Sequence, residues 1–242
     1  MEIVMTIAGS DPSGGAGIQQ DLKTITAHGC YGTTVITALT SQNTLGVVSS
    51  VAVDADVVAS QLKTVMGDLV PSAVKVGMIP NREVAEVVVE ALKDCDAPVV
   101  YDPVMISTSG YELMDSEAVD FIAEHLFPLC TLVTPNIPEA ERLKTHMKKA
   151  TTAFLVKGGH GTGSVSVDRM KAPDGTVWEF STGKIASSNL HGTGCTLSSS
   201  IASWLAKGSS LHEAVAKAKE YVTLAIQRSV SHGIGHGNGP LI

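Results

Sequence analysis

Residues 73–102, AVKVGMIPNREVAEVVVEALKDCDAPVVYD, hold two short apolar runs separated by an amphipathic segment. The apolar runs at 73–76 and 99–101 predict strands, and the apolar residues at helical spacing over 82–92 predict a helix between them. Two such strands joined by a helix form a parallel pair with a right-handed crossover. This stretch therefore predicts an α/β fold.

The same alternation of strand and helix continues along the chain. Further strands are predicted at 3–8, 33–39, 47–53, 131–133 and 154–157, and further helices at 16–27, after Asp54, and at 116–125, 138–146, 196–206 and 211–229. Segments 164–170 and 177–181 flank the turn Pro173-Asp174-Gly175 and are predicted to pair antiparallel. With no linker or internal repeat, residues 1–242 are expected to form one domain, a mostly parallel sheet with helices on both faces.

Composition and charge exclude several classes of protein. The chain is 44% hydrophobic and 17% charged, which excludes a disordered chain. Its net charge of −7 and lack of a basic cluster argue against a nucleic-acid partner, and no apolar window of 18 residues suggests a membrane span. The four cysteines are widely spaced and no signal-type segment begins the sequence, so a cytoplasmic protein is expected.

Unusual residues follow the predicted strands, where parallel sheets bind ligands. Residues 9–17, GSDPSGGAG, form either a ligand-binding loop or a tight turn. Gln42, in a polar block predicted to follow a strand, offers a donor and an acceptor that suit an aminopyrimidine edge; the alternative is a hydrated loop. Met78 could form the wall of a pocket for a flat ring, or pack in the core.

Three more strand ends carry polar residues. Asp102 follows a buried strand, where a carboxylate needs a metal or a hydrogen-bonding partner. Asn136 and Glu139 suit either a magnesium–phosphate role or a helix N-cap with its capping-box partner. Lys157, followed by Gly158-Gly159-His160, would place a point charge beside phosphates.

The strongest signal is His191-Gly192-Thr193-Gly194-Cys195-Thr196 at the start of a helix. Successive backbone amides and the positive end of the helix dipole could stabilise the charge on a migrating phosphoryl group. Cys195 lies in the same turn, where the dipole is expected to lower its thiol pKa toward neutral. A thiolate there could accept a proton from an alcohol; the alternative is an inert buried cysteine.

These motifs, in the order 6–19, 75–78, 102–105, 134–136, 157–160 and 191–196, closely resemble those of the hydroxymethylpyrimidine/phosphomethylpyrimidine kinases of thiamine biosynthesis. The resemblance implies a ribokinase-like three-layer α/β/α domain. It also implies ATP-dependent phosphorylation of 4-amino-5-hydroxymethyl-2-methylpyrimidine and then of its monophosphate, with Mg²⁺. Dimers are common in the family, and an exposed apolar strand around 33–53 is a candidate homodimer interface.

The resemblance also implies roles for individual residues. Gln42 would hydrogen-bond the pyrimidine, in a pocket lined by Gly9, Ala16, Asp21, Met78 and Val104. Asp102 and Glu139 would lie by the magnesium, with Lys157, Asn136 and Glu139 near the ATP phosphates. Gly192, Thr193, Gly194 and Cys195 would form the anion hole, with Cys195 as the base where most sugar kinases of the superfamily carry an aspartate.

Two segments depart from the family pattern, since residues 142–152 and 160–164 are shorter than usual. Contacts to the nucleotide base are therefore left unassigned. Two alternatives stay open: a pyridoxal kinase, whose substrate is also a flat ring with a hydroxymethyl group, and a nonenzymatic vitamin-binding protein on the same scaffold. The joint presence of Asp102, Lys157 and Cys195 favours an enzyme, because binding alone needs no base.

Overall fold

The computed structural model describes residues 1–107, 109–158 and 163–242, and within these ranges nine strands form one sheet in the order β3-β2-β1-β4-β5-β6-β7-β8-β9. The strands are β1 (Ile3–Ser10), β2 (Tyr31–Asn43), β3 (Gly46–Ala52), β4 (Ala73–Val76), β5 (Val99–Tyr101), β6 (Leu132–Val133), β7 (Ala153–Val156), β8 (Val165–Lys171) and β9 (Val177–Gly183). The helices are α1 (Gly17–Ala27), α2 (Ala55–Met66), α3 (Arg82–Leu92), α4 (Ser116–His125), α5 (Ile137–Arg142), α6 (Lys144–Met147), α7 (Thr193–Ala206) and α8 (Leu211–Ser229).

The central strands are parallel, as predicted. β2, β1, β4, β5, β6 and β7 pair in parallel, whereas β3 at one edge and β8 and β9 at the other pair antiparallel. The predicted antiparallel pairing of segments 164–170 and 177–181 is confirmed in β8 and β9. The β2–β3 hairpin was not predicted from the sequence.

Each face of the sheet carries its own apolar core, because successive side chains of a strand point to opposite faces. On β5, Val99 and Tyr101 join one core and Val100 the other. The first core includes residues of α2, α3 and α4: Val58, Leu62, Val84, Val88, Leu92, Val119 and Ile122. The second includes residues of α1, α7 and α8: Ile25, Leu197, Ile201, Val215 and Val222. This is the predicted α/β/α arrangement.

Three predicted elements differ from those observed. β2 runs to Asn43 and pairs with β3, so Gln42 lies within a strand opposite Val47 and not in a loop. The predicted helix 138–146 is divided into α5 and α6 at Leu143, whose φ of −88° and ψ of 0° end α5. α7 begins at Thr193, three residues before the predicted start at 196, because the Gly-Thr-Gly turn is itself the first turn of the helix.

The carboxyl ends of the parallel strands lie side by side along one end of the sheet. Gly9 lies near the end of β1, and Met78 and Asp102 follow β4 and β5. Asn136 and Lys157 follow β6 and β7 and are joined by an isolated parallel bridge. Among the residues described, no helix is long and apolar enough to cross a bilayer.

Candidate active site

The start of α7 forms a turn in which two backbone amides lack an acceptor within the helix. Gly192 caps the helix in the left-handed conformation, with φ 81° and ψ 9°. A Cβ there would lie 1.9 Å from the carbonyl oxygen of Gly15, so only glycine fits. The Thr193 amide donates to the carbonyl of Leu190 at 3.3 Å, while the next two amides lie in the first helical turn, where no intrahelical acceptor exists.

Gly194 brings this turn against the polar ends of β5 and β7. A Cβ on Gly194 would lie 3.0 Å from Oδ2 of Asp102 and 3.4 Å from Nζ of Lys157. Lys157 Nζ donates to Asp102 Oδ1 at 2.5 Å, and the Thr134 hydroxyl donates to the same oxygen at 3.1 Å. The structure therefore brings together the predicted anion hole, the predicted metal carboxylate and the predicted phosphate lysine.

Lys157 is held as a cation at this point. Burial lowers the pKa of its ammonium group, but the negative charges of Asp102 and Glu139, together with the hydrogen bond to Asp102, raise the pKa above its ordinary value. The Lys157 amide donates to the carbonyl of Pro135 at 2.9 Å, and the Gly158 amide donates to Asp168 Oδ1 at 2.8 Å. The predicted motif continues into Gly159 and His160, which lie outside the described residues.

Asn136 and Glu139 form the capping box that the sequence offered as one alternative. Asn136 Oδ1 accepts from the Glu139 amide at 2.9 Å, and Glu139 Oε2 accepts from the Asn136 amide at 2.7 Å. Burial, assisted by Asp102 and opposed by Lys157, raises the pKa of Glu139 to about 7. A capping role does not exclude a ligand, since only one carboxylate oxygen of Glu139 is used in the box.

The prediction of a lowered thiol pKa for Cys195 is wrong for the free protein. Burial raises the pKa of this thiol to about 11, which the positive charge of Lys75 opposes and the negative charges of Asp21 and Asp102 reinforce. The amide of Gly17 also donates toward the sulfur and favours the thiolate. Helix-end position is a local feature, whereas burial and these charges come from the tertiary structure.

A buried ion pair lies beside the sulfur. Lys75 Nζ contacts Asp21 Oδ2 at 2.8 Å, and both side chains are 0% exposed. Thr6 Oγ1 donates to Asp21 Oδ2 at 2.6 Å and Ser199 Oγ donates to Oδ1 at 2.8 Å, so both carboxylate oxygens have partners. The sequence predicted Asp21 as a pocket residue; the structure places it in this pair, with no exposed surface of its own.

Lys75 was missed as a functional residue. Its signal in the sequence is a lysine inside an apolar strand, Ala73-Val74-Lys75-Val76. Although burial disfavours the ammonium group, Asp21 raises its pKa above the ordinary value. A Cβ on Gly77 would lie 2.7 Å from Lys75 Nζ, so the glycine after the strand leaves room for the charged group.

The remaining predicted pocket residues are only partly brought together. A Cβ on Gly9 would lie 2.9 Å from Sδ of Met78, so the two are adjacent. The Ala16 amide donates to Asp11 at 2.8 Å, at the start of α1. Gln42 joins this region through a 3.0 Å contact between its Nε2 and Nε2 of His191.

Val104 follows β5 beside Asp102, the predicted metal carboxylate, and its amide donates to the carbonyl of Asp102 at 2.8 Å; its place in a ring pocket stays a prediction. His191 and Asp11 belong to quoted motifs, but the sequence assigned them no role.

Comparison with known sequences decides the family. The sequence model of the Phosphomethylpyrimidine kinase family matches residues 11–241. The chain belongs to the phosphomethylpyrimidine kinase family. The hydroxymethylpyrimidine/phosphomethylpyrimidine kinase of Rhizobium meliloti is 43% identical over 255 aligned positions, covering 99% of this chain and 96% of that protein. The predicted family is therefore confirmed.

Solved structures of phosphomethylpyrimidine kinase family members and of pyridoxal kinases share the fold. The phosphomethylpyrimidine kinase of Clostridium difficile is 40% identical and superposes with a TM-score of 0.80, covering 93% of this chain and 100% of that one. The pyridoxal kinase of Staphylococcus aureus, solved with ADP, is 31% identical with a TM-score of 0.89, covering 100% of this chain and 93% of that one. The predicted ribokinase-like fold is thus confirmed.

The carboxylates of this family member suit a metal that the substrate helps to hold. No group of three or more His, Cys, Asp or Glu side chains within the described ranges could hold a metal ion. Asp102 nevertheless lies close enough to Glu139 for its negative charge to help raise the pKa of Glu139. Mg²⁺ is commonly bound by one or two carboxylates together with substrate phosphates, so these residues fit it.

Proposed function

We propose that the protein transfers the γ-phosphoryl group of ATP to the hydroxymethyl group of 4-amino-5-hydroxymethyl-2-methylpyrimidine, and then a second one to the monophosphate, in thiamine biosynthesis. One observation carries the proposal: Gly194, in the helix-start turn, lies against both Asp102 and Lys157, which come from two different strands. Helix-end amides, a lysine and a carboxylate are the parts that phosphoryl transfer requires. The Rhizobium meliloti relative is named for both phosphorylations.

ATP phosphates would lie at the carboxyl ends of β6 and β7. Lys157 supplies a fixed positive charge there, and Asn136 is held beside it by the parallel bridge. The amides of Gly194 and Cys195, with the dipole of α7, would face the γ-phosphoryl group. The ADP-bound pyridoxal kinase of Staphylococcus aureus, with the same fold, supports a nucleotide as the phosphoryl donor.

Asp102 and Glu139 would hold Mg²⁺ together with these phosphates. The ion would neutralise developing charge on the phosphoryl oxygens. Asp102 already contacts Lys157 at 2.5 Å, so in the free protein the ammonium group supplies the positive charge next to this carboxylate. Glu139, with a pKa of about 7, is poised to lose its proton when a cation approaches.

Cys195 would accept the proton of the hydroxymethyl group as its oxygen forms a bond to the γ-phosphorus and the bond to ADP breaks. With a thiol pKa of about 11, the free protein holds only about one thiolate in 10⁴ molecules at pH 7. In the loose transition state of phosphoryl transfer the alcohol keeps its proton until the bond to phosphorus forms, and only the thiolate form of Cys195 can then accept it. Lys75 then favours the thiolate at the moment of transfer.

The pyrimidine would be bound by Gln42, with Gly9, Ala16, Met78 and Val104 around the ring and Asp21 behind it. Gly9 and Met78 are in direct proximity. Asp21 would act through Lys75, because its carboxylate has no exposed surface.

A homodimer through the β2–β3 hairpin is also proposed. β3 is an edge strand, and the hairpin exposes Leu39 (54%), Leu45 (68%), Val48 (78%) and Val51 (64%). Exposed apolar side chains beside an unpaired strand edge are typical of association sites. Light scattering of wild type and Val48→Lys tests this: a wild-type dimer and a monomeric variant are expected, and a monomeric wild type excludes it. We propose no nucleic-acid partner, because a net charge of −7 disfavours binding to a phosphate backbone. We propose a cytoplasmic location, because the four cysteines are unpaired.

A time course with ATP and each candidate substrate tests the function. We expect sequential appearance of the pyrimidine monophosphate and diphosphate, with slower turnover of pyridoxal. Higher turnover of pyridoxal would instead assign the protein to vitamin B6 salvage, and no ATP consumption with either ring would support a binding protein. Replacing the base in Cys195→Ala should lower kcat about 10²- to 10⁴-fold; unchanged turnover in a folded variant would exclude Cys195 as the base.

A further inference from the structure

A polar cluster connects the first glycine-rich turn, β2 and the start of α7. Its members are Asp11, His191 and Gln42. His191 Nε2 lies 2.8 Å from Asp11 Oδ2 and 3.0 Å from Gln42 Nε2, and the Asp11 and His191 side chains are 4% and 13% exposed. Gln42 is the proposed ligand of the pyrimidine, so any role of this cluster in substrate choice rests on the proposed function.

Asp11 can only accept hydrogen bonds here. Its Oδ1 accepts from the amide and hydroxyl of Ser13 at 2.8 and 2.7 Å, and its Oδ2 accepts from the Ala16 amide at 2.8 Å. Burial alone would raise the pKa of Asp11, but the hydrogen bonds from His191 and Ser13 lower it to about 2. A carboxylate facing Nε2 of His191 requires that nitrogen to carry a proton.

One further contact holds the backbone of His191, and another holds its imidazole ring. The His191 amide donates to the carbonyl of Gly239 at 3.0 Å. A Cβ on Gly15 would lie 2.2 Å from Cδ2 of His191, so the ring packs directly on the glycine backbone. The direction of the Nε2 proton is therefore set before any substrate binds.

The amide of Gln42 must adapt to this fixed donor. Its Nε2 end, 3.0 Å from a protonated nitrogen, would set two donors against each other. The two ends of a glutamine amide have the same shape, and hydrogen bonding decides between them. Rotating the amide by half a turn places Oε1 against His191, where it shares the single Nε2 hydrogen with Asp11 Oδ2 in a bifurcated hydrogen bond. The NH₂ group then faces away from His191.

We propose that Asp11 and His191 are positioning residues that turn the NH₂ group of Gln42 toward the substrate ring, which makes a ring-nitrogen acceptor the main determinant of substrate choice. A ring without that acceptor would leave a buried donor unpaired, which lowers affinity about 10- to 100-fold. The exocyclic amino group of the pyrimidine contributes less to selection, because the oxygen of Gln42 is already engaged by His191.

Calorimetric binding of two ligands tests the proposal. One is 4-amino-5-hydroxymethyl-2-methylpyrimidine; the other is the pyridine in which the ring nitrogen beside the amino-bearing carbon is replaced by C–H. Wild type should prefer the pyrimidine about 10- to 100-fold. His191→Gln, which keeps a donor near the position of Nε2, should retain this preference, whereas His191→Leu should reduce it to less than about threefold.

Gln42→Glu provides a second test, because a carboxylate has the same shape and cannot donate. It should abolish the preference, with folding of each variant checked by its melting temperature. An unchanged preference in His191→Leu or in Gln42→Glu would overturn the proposal. So would equal binding of the two rings by a wild-type protein that phosphorylates the pyrimidine. Failure of wild type to phosphorylate the pyrimidine at all would instead overturn the proposed function.

Discussion

Replacing Lys75 by methionine should damage both stability and the reactivity of Cys195. The change keeps most of the side-chain volume and removes the cation that lies 2.8 Å from Asp21, with both groups fully buried. Removing one partner of a buried ion pair leaves an uncompensated charge, which typically costs about 3–5 kcal/mol of unfolding free energy. The hydrogen bonds from Thr6 and Ser199 remain, so we expect the lower half of this range.

A double-mutant cycle separates the pair from its surroundings. Asp21→Asn removes the negative charge and keeps an acceptor oxygen for one of the hydroxyl groups of Thr6 and Ser199, while the other hydroxyl can accept from the new NH₂ group. Lys75→Met combined with Asp21→Asn should be more stable than the sum of the single changes predicts, by about 1–3 kcal/mol in urea unfolding.

The same variant should slow alkylation of the Cys195 thiol. Lys75 opposes burial by favouring the thiolate, so its loss raises the thiol pKa further above about 11 and lowers the alkylation rate at pH 9. Peptide-resolved mass spectrometry distinguishes Cys195 from the other three cysteines.

The second buried lysine pair provides a matched control. Lys219 contacts Asp168 at 2.8 Å with side chains 11% and 5% exposed, and it is not among the groups that shift the pKa of Cys195. Lys219→Met should therefore lose stability without slowing alkylation. Wild-type stability together with a wild-type alkylation rate in Lys75→Met would refute the reasoning.

Three further predictions address the phosphate side of the site. Gly194→Ala puts a methyl group 3.0 Å from Asp102 Oδ2, so we expect kcat to fall about 10²-fold with little change in melting temperature; normal kcat would exclude close approach of the phosphoryl group. Asp168→Asn weakens the acceptor of the Gly158 amide, so in steady-state kinetics the KM for ATP should rise by a larger factor than kcat falls. A KM for ATP equal to that of wild type would show that this hydrogen bond does not position Lys157. Glu139→Gln keeps the capping box, and in metal-free protein it should flatten the pH dependence of the unfolding free energy between pH 4.5 and 7. In wild type the folded-state pKa of Glu139, about 7, exceeds the ordinary value of 4.5. The stabilisation from protonated Glu139 is therefore present below pH 4.5 and is lost as the pH rises through 7. Identical pH profiles for wild type and Glu139→Gln would contradict the raised pKa.

Local sequence patterns were sufficient for most of the elements. β4, α3, β5, α4 and α8 have the predicted bounds, because each pattern repeats with the period of one regular structure and ends at polar or turn-forming residues. The pattern failed at Gln42, since the polar block 40–44 lacks the apolar alternation of a strand. That block becomes part of β2 only because β3 folds back and pairs with it.

The sequence by itself determined the family, the α/β/α fold and the positions at strand ends where chemistry is expected. The tertiary structure alone decided the protonation and the hydrogen-bonding partners of these residues: the raised pKa of Cys195, the ion pair of Lys75 with Asp21, and the contact of Gln42 with His191. The physical reason is that periodicity and glycine turns act between near neighbours, whereas proton affinity depends on burial and on charges in contact through space. Asp21 and Lys75 are 54 residues apart in the sequence, and Asp11 and His191 are 180 residues apart. No local sequence pattern can therefore predict that these side chains contact each other.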